Sequence, residues 1–290
     1  MPELPEVTTT VNGLQKVLPG LIFSDVWTDL AKKNQKFKPF LNTIKNEKFY
    51  KKFKKEIRGK KILKVERRAK NILIHLSGNR TILIHLKMTG HLLFNVPSSK
   101  YIHVIFSFTN GKKLYFSDAR KFGKVTIFPT DKMDETLHLK NIGPEPLEKN
   151  FTFETFKGRL FKKSASGRRK INTVLLDQSV IAGIGNIYSD EILWESSVHP
   201  ESRIENIPVS FLKKMYQAMK DVLKKGIHFG GDSTSDYRNI HGGKGHFQKK
   251  HNVYQKSKEE CGKKSCLGVI MRKMIGGRSA HFCPQHQKLF

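Results

Sequence analysis

Apolar residues change period twice along the chain, and the changes divide it. Val7, Val11, Leu14 and Leu18 recur at helical spacing until Pro19-Gly20 closes the pattern, which predicts a short amphipathic helix entered through MPELPE. From about Leu21 to Pro129 the period drops toward two. NILIHL and TILIHL alternate Ile, Ile and Leu around SGNR, and HVIFSF and KLYFSD flank TNGK, whose Asn-Gly pair favours a type I′ turn. Many strands with little helix between them predict an antiparallel β-sandwich. GPEPL, residues 143–147, then kinks the chain. Helical patterns follow in TFETFKGRLFKK, INTVLLDQ, SDEILWESS and VSFLKKMYQAMKDVLKKGI, before a Gly-rich polar loop and a cysteine-bearing tail. The expected class is multidomain α+β.

Charge changes the picture next. Lys and Arg number 54 against 25 acidic residues, a formal net charge of +29. Such an excess attracts polyanions by counterion release and steering, which makes nucleic acid the leading partner. Hydrophobic residues make up 38%, and no apolar run reaches the roughly 20 residues of a membrane span. With no charged-then-apolar leader, a cytoplasmic protein is expected. The stretch from Ala31 to Lys61 interleaves Lys with Phe and Tyr, as in KKNQKFKPF and KFYKKFKKE. Phosphate binding and a solvated Lys-rich excursion both account for it.

Three segments carry candidate chemistry. The three cysteines crowd the tail as CGKKSC, sixteen residues, then CPQH. An odd count argues against a disulfide framework, and Cys261, Cys266, Cys283 and His286 make a Cys₃His zinc site plausible; three free thiols and a surface histidine are the alternative. Gly276-Gly277 between the pairs marks a turn, with Arg278 beyond it, so a basic hairpin is expected beside the metal. IAGIGNIYSDE joins two apolar helices through glycines. Either its amides and Asn186 bind phosphate, or it is a plain helix corner. Glu3 and Glu6 sit at a helix start, where acids favourable with the helix dipole explain them as caps.

MPELPEV, HLKMTG, DARKFG, GPEPL, GIGNIYSDE and GGDSTSDYRNIHGGKGHFQKKHNVY occur in one order over the whole chain. Together with the cysteine tail they resemble the formamidopyrimidine-DNA glycosylase family of base-excision enzymes. The resemblance implies a catalytic β-sandwich domain over residues 1–140, flanked by helices. It implies a helix-two-turn-helix domain over 141–245, with a lesion-capping loop at about 229–247, and a zinc-finger β-hairpin over 248–290 with one structural zinc per chain. The implied function is removal of oxidised purines from double-stranded DNA, by a monomer, followed by strand cleavage at the abasic site. PELPEV and the Gly-rich loop favour this branch over the related endonuclease VIII branch, which acts on oxidised pyrimidines. A silent damaged-DNA-binding paralogue is the reading from outside enzymology, and the presence of Pro2, Glu3 and Lys70 speaks against it.

Site roles follow from the same resemblance. Pro2, once Met1 is removed, matches the nucleophile; Glu3 matches the acid/base and Glu6 a supporting carboxylate. Lys70, Asn186 and Arg278 match phosphate-binding partners, Lys70 and Arg278 with a part in catalysis. Met88, Arg120 and Phe122 match the set that fills the void left by a flipped base, where ordinary core packing is the alternative for Met88 and Phe122. Two departures stand out: the family usually has four cysteines in two-residue gaps, and Asn172 stands where it often has lysine.

Overall fold

The computed structural model describes residues 1–33, 36, 40–162 and 169–290, and the chain divides into two compact units. The part of the Lys-rich segment at 34–35 and 37–39 lies outside the described residues.

The first unit comprises Met1–Lys140 and Phe229–His246. It opens with helix α1 (Leu4–Val17), followed by β1 (Phe23–Thr28), α2 (Glu47–Ile57), β2 (Ile62–Arg68), β3 (Asn71–Leu76), β4 (Arg80–His85), β5 (His91–Phe94), β6 (Ile102–Phe108), β7 (Lys113–Ser117) and β8 (Lys124–Pro129). These strands form two four-stranded sheets, ordered β1-β6-β7-β5 and β2-β3-β4-β8, with every pairing antiparallel. The expected sandwich is therefore present. Ile72, Ile74, Ile82 and Ile84 of one sheet share a buried cluster with Val104, Phe106, Leu114 and Phe116 of the other, as alternation along each strand requires. Phe23 anchors it against Phe106 and Phe108, with ring centroids 5.9 and 5.1 Å apart.

Two local expectations change. KFYKKFKKE forms the helix α2 inside the strand-rich region. Phe53 and Ile57 lie four apart on its buried side, Lys48, Lys51, Lys52 and Lys55 are exposed, and the Asn46 side chain caps the N-terminus by accepting from the Phe49 amide at 2.9 Å. The basic stretch is thus in part a packed helix with a solvated face. The β6–β7 turn is not type I′, because only Gly111 (φ 80°) takes the left-handed conformation and Asn110 does not. The Gly111 amide bonds the Phe108 carbonyl and the Phe108 amide bonds Lys112, giving a three-residue loop closed by a glycine bulge.

The second unit comprises Asn141–His228 and Phe247–Phe290. It holds α3 (Phe153–Lys162), α4 (Ile171–Leu175), α5 (Asn186–Glu195), α6 (Val209–His228) and the hairpin β9 (Met271–Ile275) with β10 (Arg278–Phe282). Leu212, Met215, Met219, Val222 and Leu223 form the buried stripe of α6 at three- and four-residue spacing. Among the described residues no helix is long and apolar enough to cross a membrane.

Candidate active site and metal centre

The N-terminal carboxylates are buried, Glu3 at 3% and Glu6 at 1% exposure. Charge of that kind needs donors. Glu3 caps α1 and forms a capping box with Glu6, and the Glu3 amide donates to Glu6 Oε2 at 2.7 Å. The capping reading of these residues is therefore correct as structure, and it leaves room for chemistry because the box fixes both carboxyl groups beside Pro2. Glu6 Oε1 also accepts the Asp232 amide at 2.7 Å, from the Gly-rich loop. Gly231 permits this approach: its φ is +85°, and a β-carbon there would lie 2.9 Å from Glu6 Cγ. Pro2 is buried, while Met1 ahead of it is exposed.

Lys70 is buried in the two-residue turn between β2 and β3, where Ala69 takes a left-handed φ of 53°. The strand register sets Asn71, its neighbour, opposite His85, and His85 opposite Lys124. Burial first, then the charges of Lys87, Lys70 and Lys124, hold the His85 imidazole well below the usual histidine range and therefore neutral. Lys45 is also buried; desolvation lowers its amine to about 8, against the opposing pull of Asp118. This edge of the first unit is a concentrated, partly dehydrated group of cations, suited to an anion. Local spacing does not signal Lys45, His85, Lys87 and Lys124: strand pairing joins His85 to Lys124, and Lys45 and Lys87 come from the flanking loops.

Met88, Arg120 and Phe122 project from two loops at the end of the sheets. Met88 is 41% and Phe122 45% exposed, so core packing does not explain them. The Arg120 guanidinium lies 4.9 Å from the Phe122 ring centroid.

In the second unit Asn186 opens α5, and its carboxamide Nδ2 donates to the Ser279 carbonyl of β10 at 2.8 Å. One turn later the buried Asp190 accepts from the His281 amide and meets His281 Nδ1, both at 2.9 Å. These bonds fix the hairpin on α5 and leave Arg278 exposed at its tip. Gln178 orders the preceding glycine loop by bonding the Leu176 and Ile184 carbonyls and the Gly183 amide. Asn172 is fully buried on α4, with neither carboxamide atom partnered among the described residues. A base-contacting role therefore finds no exposed group at this position.

Cys261, Cys266, Cys283 and His286 bring one donor atom each within 4.8 Å of one another. Cys261 Sγ is 3.2 Å from His286 Nδ1, and Cys266 Sγ is 3.6 Å from Cys283 Sγ. Such separations suit a single tetrahedral ion at the ~2.3 Å of a Zn–S bond. His286 Nε2 lies 3.1 Å from the Trp194 carbonyl, which can only accept, so Nε2 carries the proton and Nδ1 is left for metal. The Trp194 indole N–H and the Gly268 amide donate to the Cys261 and Cys266 sulfurs at 3.4 Å. The four-residue gap between the first cysteines is absorbed by a turn in which Ser265 takes φ 63°.

Residues 1–125 match the family described as formamidopyrimidine-DNA glycosylase N-terminal domain, and residues 142–238 match its H2TH domain. A formamidopyrimidine-DNA glycosylase of Pelotomaculum thermopropionicum is 38% identical, with 100% of each chain covered. One from Bacillus subtilis is 34% identical over 99% of each chain. Among solved structures, a complex of Lactococcus lactis Fpg with abasic-site DNA superposes with a TM-score of 0.85 at 30% identity, covering 99% of both chains. Another, of the same protein with N7-benzyl-Fapy-dG DNA, scores 0.85 and covers 99% of this chain and 100% of that one.

Proposed function

The chain belongs to the formamidopyrimidine-DNA glycosylase family, and on that premise we propose how its own residues carry out base excision. It is a DNA glycosylase and abasic-site lyase for oxidised purines, with damaged double-stranded DNA as partner. The proposed modules are a catalytic sandwich over 1–140, a DNA-binding helical segment from 141 and a metal-held hairpin over 248–290; the capping loop, expected within 141–245, belongs instead to the compact unit of the sandwich, as Phe229–His246.

The proposed nucleophile is the Pro2 amine, released when Met1 is cleaved. An α-amine has a pKa of about 8, so a useful neutral fraction exists near pH 7. Its lone pair attacks C1′, the bond from C1′ to the base breaks, and the base departs with a proton. Opening of the sugar ring leaves an iminium between Pro2 and C1′. That electron sink acidifies the 2′ hydrogen. Its removal expels the 3′ phosphate by breaking the C3′–O bond, and a second elimination expels the 5′ phosphate. Glu3 moves protons to the ring oxygen and from C2′. Glu6 holds Glu3 and the capping loop. The observation that carries this assignment is the buried Pro2–Glu3–Glu6 cluster bonded to the Asp232 amide.

Lys70, Asn186 and Arg278 are proposed as phosphate ligands. Met88 and Phe122 are proposed as the wedge that replaces lost stacking, and Arg120 as the donor to an orphaned cytosine. The Cys261, Cys266, Cys283 and His286 donors would hold one structural zinc, which supplies fold stability to the hairpin and no step of the chemistry. A cytoplasmic, nucleoid-associated location follows from the substrate.

Duplexes carrying 8-oxoguanine or formamidopyrimidine opposite cytosine, and duplexes carrying oxidised pyrimidines, test the substrate class. Incision of the first two, abolished by Pro2→Gly, is expected. Preference for the pyrimidine lesions would contradict the reading.

A further inference from the structure

Thr89 joins two loops that carry exposed tips. Its hydroxyl donates to Asp118 Oδ1 at 2.5 Å and accepts the Arg120 amide at 3.1 Å. The other oxygen of Asp118, a residue 1% exposed, accepts the Gly123 amide at 2.6 Å. One hydroxyl and one carboxylate thereby close the Asp118–Gly123 loop and tie it to the turn bearing Met88. Lys45 braces the middle, its ammonium donating to the Lys121 carbonyl at 2.5 Å. Gly123 fits only without a side chain, since a β-carbon would run into the Phe116 ring.

The contrast lies at the tips. Met88 and Phe122 are exposed, although apolar groups gain from burial. A charge-assisted hydrogen bond to a buried carboxylate is both strong and demanding in geometry. The polar base therefore fixes where two apolar tips and Arg120 stand relative to one another, with no gain from burying the tips themselves.

We propose that Thr89 is a positioning residue for opposite-base discrimination: through Asp118 it sets the spacing between Met88 and the Arg120–Phe122 pair. This deepens, and rests on, the reading that these three residues enter the duplex at the lesion. Thr89 itself contacts no base in this account.

Thr89→Val keeps the shape and removes the hydroxyl, and Thr89→Ser keeps the hydroxyl. Both are compared with wild type for binding to a duplex holding a tetrahydrofuran abasic site opposite cytosine or adenine, alongside thermal melting. Wild type is expected to prefer cytosine. Thr89→Val should lose about tenfold of that ratio, the scale of one hydrogen bond to a charged group, and Thr89→Ser should retain it. In an Arg120→Ala background the Thr89→Val effect on the ratio should vanish. An unchanged ratio in Thr89→Val, an equal loss of both affinities, or a persisting effect without Arg120 overturns the inference. A wild-type protein that binds abasic and undamaged duplexes equally overturns it together with the DNA reading beneath it.

Discussion

The Asp232 amide donates to Glu6 Oε1 at 2.7 Å while the Glu3 amide donates to Glu6 Oε2 at the same distance. One buried carboxylate thus ties the Gly-rich loop to the start of α1, next to Pro2. Glu6→Gln keeps the shape but turns an N–H₂ toward one of the two donors. A lost charged bond and a stranded amide cost roughly 1.5–3 kcal/mol. Urea denaturation should read that loss, and limited proteolysis should cut faster within residues 229–246.

The metal centre predicts a spectroscopic signal. The chain has two tryptophans, and Trp194 touches the centre through Cys261 and His286 while Trp27 is 49% exposed in the first unit. Chelation at neutral pH should change the indole emission and lower the melting temperature of the native protein. Trp194→Phe should abolish most of the emission change. Metal analysis of the wild type should return about one zinc per chain.

Asn172 predicts a stabilising substitution. Its buried carboxamide lacks partners among the described residues, and leaving such a group unsatisfied costs roughly 1–3 kcal/mol. Asn172→Leu should raise the melting temperature, read by calorimetry, and leave cleavage of abasic DNA within about twofold, since no phosphate contact is assigned to it.

A pH dependence follows from Glu201. Its carboxylate accepts Lys170 at 2.6 Å and Lys273 of the hairpin at 2.5 Å, and these bonds lower it from the usual carboxylate range to about 2. A depressed carboxyl stabilises the fold above its unfolded value, and the contribution is lost as pH falls through about 2. Wild type should therefore exceed Glu201→Gln in stability by a constant margin at neutral pH. That margin should shrink from about pH 4.5 downward, where the unfolded carboxyl begins to bind protons.

The legible parts of the fold were those written in local period. Val7, Val11 and Leu14 placed α1, and the NILIHL and TILIHL alternation placed β3 and β4. Helix α2 was hidden because its lysines swamp a buried side marked by little more than Phe53 and Ile57. The TNGK turn misled because loop length, set by the strand register, decides which residue goes left-handed. In the site, the resemblance supplied Pro2, Glu3, Glu6 and Lys70, but not the bond between Glu6 and Asp232, which lie 226 positions apart. Nor did any spacing signal Thr89 with Asp118, or the His85–Lys124 pairing. Polar contacts across sheets and loops leave no periodic trace.

Borohydride trapping on an 8-oxoguanine duplex, followed by peptide mass mapping, identifies the attacking group and so decides whether Pro2 is the nucleophile. One covalent adduct is expected, on the N-terminal peptide beginning at Pro2, with Met1 absent and no adduct from Pro2→Gly. An adduct on a lysine, or efficient trapping by protein that retains Met1, would contradict it.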